Sequence, residues 1–78
     1  IPNPTKGIFS LNFNSEKEQS ITINIYDITG KLIKSEWFEP INGYNKRDYN
    51  FTNLTSGLYY LELFDGKEKT AIKFVVFE

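Results

Sequence analysis

Apolar and polar residues alternate in four segments of the chain with the two-residue period of half-buried β-strands. The segments are residues 9–13, 21–25, 59–63 and 72–76. Because successive side chains of a strand point to opposite faces of its sheet, each segment places its large apolar residues on one face. We expect these four faces to supply the core of an all-β domain.

The second segment ends in a turn signal. Residues 27–30 predict a hairpin in which the Asp27 side chain bonds back to the turn amides and Gly30 adopts a positive φ angle. The return strand covers residues 32–38 and ends before Pro40. Its mixture of apolar and charged residues predicts a solvent-facing or edge position.

The middle of the chain alternates less clearly. Asn42 and Gly43 predict a turn. Residues 44–51 contain three consecutive charged residues, and we expect them to form a loop that leads into a short edge strand through Tyr49 and Phe51.

The last third of the chain predicts a second hairpin. Gly57 is typical of a strand start at which a Cβ atom would clash or φ is unusual. Asp65 and Gly66 lie between two apolar strands and predict a tight turn, with Gly66 at positive φ. The closing strand is expected over residues 70–77.

Turn signals recur about every 8–12 residues, and no segment has a helical period. This spacing favours a small antiparallel β-sandwich, immunoglobulin-like, with about six or seven strands. An orthogonal barrel is the alternative, because the pattern gives strands without assigning them to sheets. At 78 residues, the chain has room for one core.

Composition narrows the possible functions. The net charge of −1 argues against binding to nucleic acid or to an anionic membrane surface, since either would call for a basic patch. No apolar stretch approaches the length of about 20 residues that a membrane span needs. The chain has no cysteine, and it has no histidine to act as a base or to hold a metal. We therefore expect no enzymatic activity and no cofactor.

The carboxylates do not change this expectation. Asp27, Asp48 and Asp65 each fall at a predicted turn, where aspartate is expected for backbone reasons. No cluster of acidic residues has the spacing of a calcium site.

Three short motifs occur in a fixed order along the chain. The first is IPNPTKG at residues 1–7, the second is IYDITGK at residues 25–31, and the third is LTSGLYYLEL at residues 54–63. Together with the closing strand they resemble the C-terminal sorting domain, type A, of the type IX (Por) secretion system of Bacteroidetes. The resemblance covers nearly the whole chain. Each motif alone is explained by turns and strand ends.

The resemblance assigns the sorting motif to individual residues. They are Pro2, Asn3, Pro4, Gly7, Tyr26, Asp27, Gly30, Lys31, Gly57, Tyr59 and Lys73. One departure is at the end, where family members commonly finish with a basic residue and this chain finishes with Glu78.

The resemblance also implies how the protein is secreted. The chain would be the tail of a larger precursor, with residues 1–78 as its sorting domain. The precursor would fold in the periplasm, and the domain would present it to an outer-membrane translocon and its carrier. A cell-surface sortase would then usually remove the domain upstream of or near Ile1, so that the cargo reaches the cell surface or the medium. No small-molecule substrate is implied.

Two other functions fit the same fold class. A carbohydrate-binding module would present a planar row of aromatic rings, for which Trp37, Phe38, Tyr44 and Tyr49 are the candidates. We expect Trp37 instead to pack in the core or against a sheet, because so small a domain needs its rings inside. A generic immunoglobulin-like spacer is the other alternative.

Recognition of many unrelated cargos suits main-chain pairing at a strand edge, since such pairing tolerates varied side chains. We therefore hypothesise that the closing strand is the recognition edge, with Lys73, Val75 and Phe77 as its outward residues. In the competing interpretation the strand only completes its sheet, and Lys73 guards the edge against aggregation.

Overall fold

The computed structural model describes residues 6–16 and 19–77, and every regular element in these ranges is a β-strand. The strands are β1 (Ile8–Ser15), β2 (Ile21–Asp27), β3 (Leu32–Phe38), β4 (Gly43–Asn50), β5 (Gly57–Phe64) and β6 (Lys69–Val76). No helix long and apolar enough to cross a membrane occurs in the described ranges.

The strands form two antiparallel sheets. β1 pairs with β4, while the second sheet has the order β3-β2-β5-β6. The inner faces of the two sheets contact each other through Phe9 and Phe74, whose ring centroids are 5.5 Å apart. The prediction of a small antiparallel β-sandwich is therefore confirmed, with six strands in the described residues.

The core lies between the two sheets and consists largely of the alternating segments. Its buried apolar residues are Phe9, Leu11, Ile21, Ile23, Ile25, Tyr49, Phe51, Tyr59, Leu61, Phe74 and Val76. All four segments that alternate in the sequence contribute to it, as predicted. Leu61 and Phe74 are completely buried, which places the deepest part of the core against β5 and β6.

β4 corrects one expectation. Residues 44–51 do not form a loop, because Gly43–Asn50 is a continuous strand of eight residues paired with the whole of β1. Asp48 accordingly lies in a strand and not at a turn; its carboxylate accepts a hydrogen bond from the Ser10 hydroxyl on β1 at 2.6 Å.

The alternation of β4 is hidden because two of its inward residues are polar. The buried Asn45 side chain accepts a hydrogen bond from the Ile41 amide and donates to the Ile41 and Gly43 carbonyls. Arg47 lies with its guanidinium carbon 4.3 Å from the centroid of the Phe38 ring and pairs with Glu36 at 3.1 Å. Local hydrogen bonds of Asn45 and tertiary contacts of Arg47 therefore satisfy two polar side chains that a sequence pattern assigns to a loop.

The inward residue that follows on β4 is Tyr49, which the expectation placed in a short strand near the edge. Its ring stacks on Phe51 with centroids 5.4 Å apart. Burial, and secondarily the neighbouring Glu36 carboxylate, raises the pKa of Tyr49 to about 12. The phenol is therefore neutral throughout the physiological pH range.

The prediction that β3 lies at an edge is confirmed, since β3 ends the order of the four-stranded sheet. The expectation for Trp37 is wrong. Trp37 is 67% exposed, because it shares the outer face with its partner Thr22, while its neighbours Glu36 and Phe38 are half-buried. A one-residue step along a strand reverses the face, and here the smaller ring takes the inner position.

Replacing Phe74 tests the core. Phe74→Ala removes a fully buried ring and should lower the free energy of unfolding by about 3–5 kcal/mol. The outward neighbour Val75 is the matched control, for which Val75→Ala should cost less than about 1 kcal/mol. Denaturant melts of both variants measure the difference, and equal losses would contradict this placement of the core.

Candidate recognition surface

The turn between β2 and β3 is built around one carboxylate. Oδ1 of Asp27 accepts hydrogen bonds from the Thr29 amide at 2.9 Å, the Thr29 hydroxyl at 2.6 Å and the Lys31 amide at 3.0 Å. Gly30 has a φ angle of 87°, as predicted, and its amide bonds to the Asp27 carbonyl. Asp27 and Gly30 thus set the turn geometry, as the sequence predicted.

The same hydrogen bonds set the charge of the turn. They lower the pKa of Asp27 below its usual value of 3.8, first through the Thr29 hydroxyl and then through the Lys31 amide. The carboxylate is therefore ionised in the folded domain at all but strongly acidic pH.

The third motif forms the loop before β5 and the start of that strand. The Tyr59 ring is in the core, and its hydroxyl donates to the Thr55 carbonyl at 2.7 Å. Gly57 begins β5 as predicted. The expectation that a Cβ clash or an unusual φ requires glycine there is wrong. The φ of Gly57 is not positive, and a Cβ atom there would meet nothing closer than 3.8 Å.

The second and third motifs meet at one end of the sandwich. Asp27 at the end of β2 is the register partner of Tyr59 at the start of β5. The two segments line one surface groove of about 410 Å³. Ile28, at the tip of the turn, also lines the groove and is 66% exposed, so this part of the groove is apolar and open to solvent.

Tyr26 and Lys73 belong to the same end of the molecule, on the outer face of the four-stranded sheet. Tyr26 pairs in register with Tyr60, which pairs in turn with Lys73. Leu32 of β3 extends this row. The sequence alone did not connect these residues. It did contain a signal for Tyr60, because Tyr60 alternates with the inward Tyr59 and Leu61 and therefore belongs to the outer face of β5.

The first motif is described only from Lys6 onward; Pro2, Asn3 and Pro4 lie outside the described residues. Gly7 is buried with a φ angle of 100°, and its carbonyl accepts a hydrogen bond from the Phe51 amide at 2.7 Å. A Cβ atom at Gly7 would lie only 2.7 Å from the Phe51 carbonyl oxygen. Only glycine fits this approach of two backbones.

Lys73, Val75 and Phe77 are exposed outward residues of the second half of β6 and the position after it. In the part of the chain that the structure describes, β6 is the last strand of its sheet. The Lys6 ammonium lies 5.9 Å from the centroid of the Phe77 ring. The first motif therefore reaches the end of β6, close to the other motif residues.

The aromatic row of a carbohydrate-binding module does not form. Trp37 lies on the outer face of β3, whereas Tyr44 is exposed on β4 in the other sheet. Tyr49 is in the core, and Phe38 packs against Phe13 with ring centroids 5.9 Å apart. Nor do three His, Cys, Asp or Glu side chains within residues 6–16 and 19–77 gather closely enough to hold a metal ion.

The chain matches a known protein family over nearly its whole length. The family described as the secretion system C-terminal sorting domain matches residues 1–77, and the chain belongs to this family. No curated protein and no solved structure matches the chain.

Family membership confirms the resemblance and favours a sorting domain over a carbohydrate-binding module. The domain is the C-terminal sorting signal of type IX secretion. It interacts with the type IX machinery and directs export across the outer membrane, to the cell surface or the medium.

The charge of Asp27 predicts that the stability of the domain depends on pH. A lowered pKa means that ionised Asp27 stabilises the folded domain above the usual value of 3.8, and that this contribution is lost as the pH falls through the folded-state pKa. Asp27→Asn should therefore lower the melting temperature at neutral pH and have progressively less effect below pH 3.8. Thermal melts of both proteins from about pH 7 to about pH 2 test this. A deficit that stays constant with pH would show that the charge of Asp27 does not matter.

Two glycines of the sorting motif should respond differently to a methyl group. Gly7→Ala should destabilise the domain by more than about 1 kcal/mol, because of its positive φ and its contact with Phe51. Gly57→Ala, which meets no close atom, should leave stability unchanged or slightly raised. Denaturant melts of both variants measure the change in the free energy of unfolding. An equal change at both positions would contradict the backbone contact at Gly7.

Proposed function

We propose that residues 1–78 are a non-catalytic sorting signal at the C-terminal end of a larger precursor. Membership of the sorting-domain family is the observation that carries this proposal. The three aspartates support it, because their carboxylates contact the backbone or neighbouring side chains. Asp27 holds its own turn, Asp65 accepts from the Lys67 and Glu68 amides, and Asp48 contacts Ser10 and Lys46.

The proposed route follows from the family. The precursor folds in the periplasm, and its last domain binds the outer-membrane translocon and the carrier that serves it. A cell-surface sortase then cleaves upstream of or near Ile1, so the domain is the substrate of that protease. The cargo remains at the surface or is released.

Within the domain, the proposed contact is the outer side of β6 with Lys73, Val75 and Phe77. Their exposure supports this choice, and so does their place at the end of the molecule where the other motif residues gather. The motif turn at Asp27 and the start of β5 would border the bound partner.

Charge suggests the character of the partner. Four exposed lysines lie along β6 or beside its two ends: Lys6, Lys67, Lys69 and Lys73. The acidic residues near them are the exposed Glu68 and the half-buried Glu62 and Asp65. Such a basic strip favours a partner surface with carboxylates, and the association should weaken as salt rises. The small net charge of the whole domain, −1, does not reveal this local excess.

Export of a fused reporter tests the contact. Lys73→Glu, and separately deletion of residues 75–78, should abolish or strongly reduce export through the type IX system of a competent host. Lys46→Glu, an equal charge reversal at an exposed position of the other sheet, should leave export unchanged. A host without the translocon gives the background, and circular dichroism of each purified domain verifies folding.

Only variants that still fold are informative. Loss of export in a folded Lys73→Glu domain supports the contact at β6. Export that survives in every folded variant would place the signal elsewhere, at the turn of Asp27–Lys31 and the Gly57–Tyr59 motif.

A further inference from the structure

Asn42 differs from the other asparagines of the chain in the residue that follows it. The chain has eight asparagines, and the other seven precede proline, phenylalanine, serine, isoleucine, lysine or leucine. Asn42 precedes Gly43. Because glycine has no Cβ atom, the approach to its main-chain nitrogen is open and its backbone rotates freely. The Asn42 side chain is therefore the one that the next main-chain nitrogen attacks with the least steric hindrance.

The surroundings of Asn42 leave room for such an attack. The residue lies in the connection between β3 and β4, and it is exposed, so water reaches its side chain. Gly43 has a φ angle of 104°, and a Cβ atom there would meet nothing within 4 Å. Neither burial nor crowding protects the amide of Asn42.

The side chain of Asn45 holds the residues on both sides of Asn42. Its Oδ1 accepts a hydrogen bond from the Ile41 amide at 3.0 Å, and its Nδ2 donates to the carbonyls of Ile41 at 2.9 Å and Gly43 at 3.0 Å. Asn45 is 9% exposed, so these bonds are sheltered from water. Attack on the side chain of Asn42 requires its backbone to rotate, and these three hydrogen bonds, the Asn45 clamp, oppose that rotation.

The nitrogen of Gly43 is also held by β1. Gly43 lies opposite Ser15, the last residue of β1. On the same ladder the Phe51 amide donates to the carbonyl of Gly7, directly across from it. Because hydrogen-bonded pairs recur at every second position of an antiparallel ladder, Gly43 and Ser15 form a pair of the same kind. This pair is the last of the ladder, and ladder ends open most readily.

We infer that Asn42 is a site of spontaneous deamidation and that the Asn45 clamp sets its rate. When the clamp and the last ladder pair open, the Gly43 nitrogen gives its proton to a base in solution and attacks Cγ of Asn42. The N–Cγ bond forms, the Cγ–Nδ2 bond breaks, and the leaving group takes up a proton and departs as ammonia. The product is a five-membered succinimide. One water molecule then opens the ring at either carbonyl, which gives aspartate or isoaspartate.

The two products affect the fold differently. Aspartate keeps the length of the main chain and adds one negative charge. Isoaspartate adds the same charge, but its main chain runs through the side-chain methylene and gains one bond between Ile41 and Gly43. Because Asn45 bonds to both of these residues, the longer connection no longer fits the clamp. The start of β4 then loses its pairing with β1.

Ageing of the purified domain at mildly alkaline pH tests the site. Peptide mass spectrometry locates each conversion of an amide to a carboxylate, and Asn42 should be the first of the eight asparagines to convert. Asn42→Gln is the matched control, since its longer side chain must close a six-membered ring; this variant should show no early conversion at position 42. Earlier conversion at any other asparagine of the wild-type domain would overturn the inference.

A second arm tests the clamp. Asn45→Ala removes three hydrogen bonds and should raise the rate at Asn42 at least about tenfold. Asn24→Ala is the control for general destabilisation, because Asn24 bonds to Ser35 and Glu62 in the other sheet, and it should leave the rate at Asn42 unchanged. Circular dichroism verifies that each variant folds.

Equal rates at Asn42 in the wild type and in folded Asn45→Ala would overturn the role of the clamp. If Asn45→Ala does not fold, Asn45→Asp takes its place, because it keeps the acceptor for the Ile41 amide and loses both donated bonds. The products are compared last. The separated isoaspartate form should melt below a fresh Asn42→Asp domain, which carries the same added charge on an ordinary main chain; equal melting temperatures would overturn the predicted loss of the clamp.

Discussion

The structure depends on the packing of Phe9 against Phe74. Phe9 lies in a two-stranded sheet, which is marginal by itself in water, and Phe74 lies in the sheet that it covers. The Phe9 ring also contacts Tyr49 and Phe51, with centroids 5.7 Å away in each case. A chain of this length buries only about 60–65% of its unfolded surface, so a few large rings must supply much of the apolar burial. This ring cluster joins the two sheets at the centre of the core.

The same packing assembles the functional end of the molecule. In the antiparallel order the end of β2, the start of β5 and the end of β6 lie side by side, as the register of Asp27, Tyr59 and Phe74 shows. Each motif residue with a described contact also serves the fold. Asp27 completes its turn, and Gly7 joins the first motif to Phe51. A partner that binds at this end therefore meets an arrangement that exists only in the folded domain.

β4 is the strand that the hydrophobic pattern of the sequence does not predict. Its inward positions include Asn45 and Arg47, so its sequence looks like a loop. Asn45 is satisfied by its near neighbours Ile41 and Gly43. The partners that make Arg47 tolerable in a strand come from elsewhere in the fold, since Glu36 and Phe38 belong to the other sheet. Trp37 was misplaced for a related reason, since hydrophobicity predicts burial but only the register with β2 decides which face a residue occupies.

The sequence by itself determined the strands with clean alternation, the two hairpin turns and the motif pattern that identifies the family, because these depend on neighbours a few residues apart. Alternation sets the buried face of a strand, and Asp27, Gly30 and Gly66 set turns through local hydrogen bonds and backbone freedom. Only the tertiary structure decided which strands share a sheet, that Gly43–Asn50 forms β4, and that Lys6 meets Phe77. Those outcomes depend on pairings between distant segments, whose energies come from ring packing and ion pairs that no local pattern encodes.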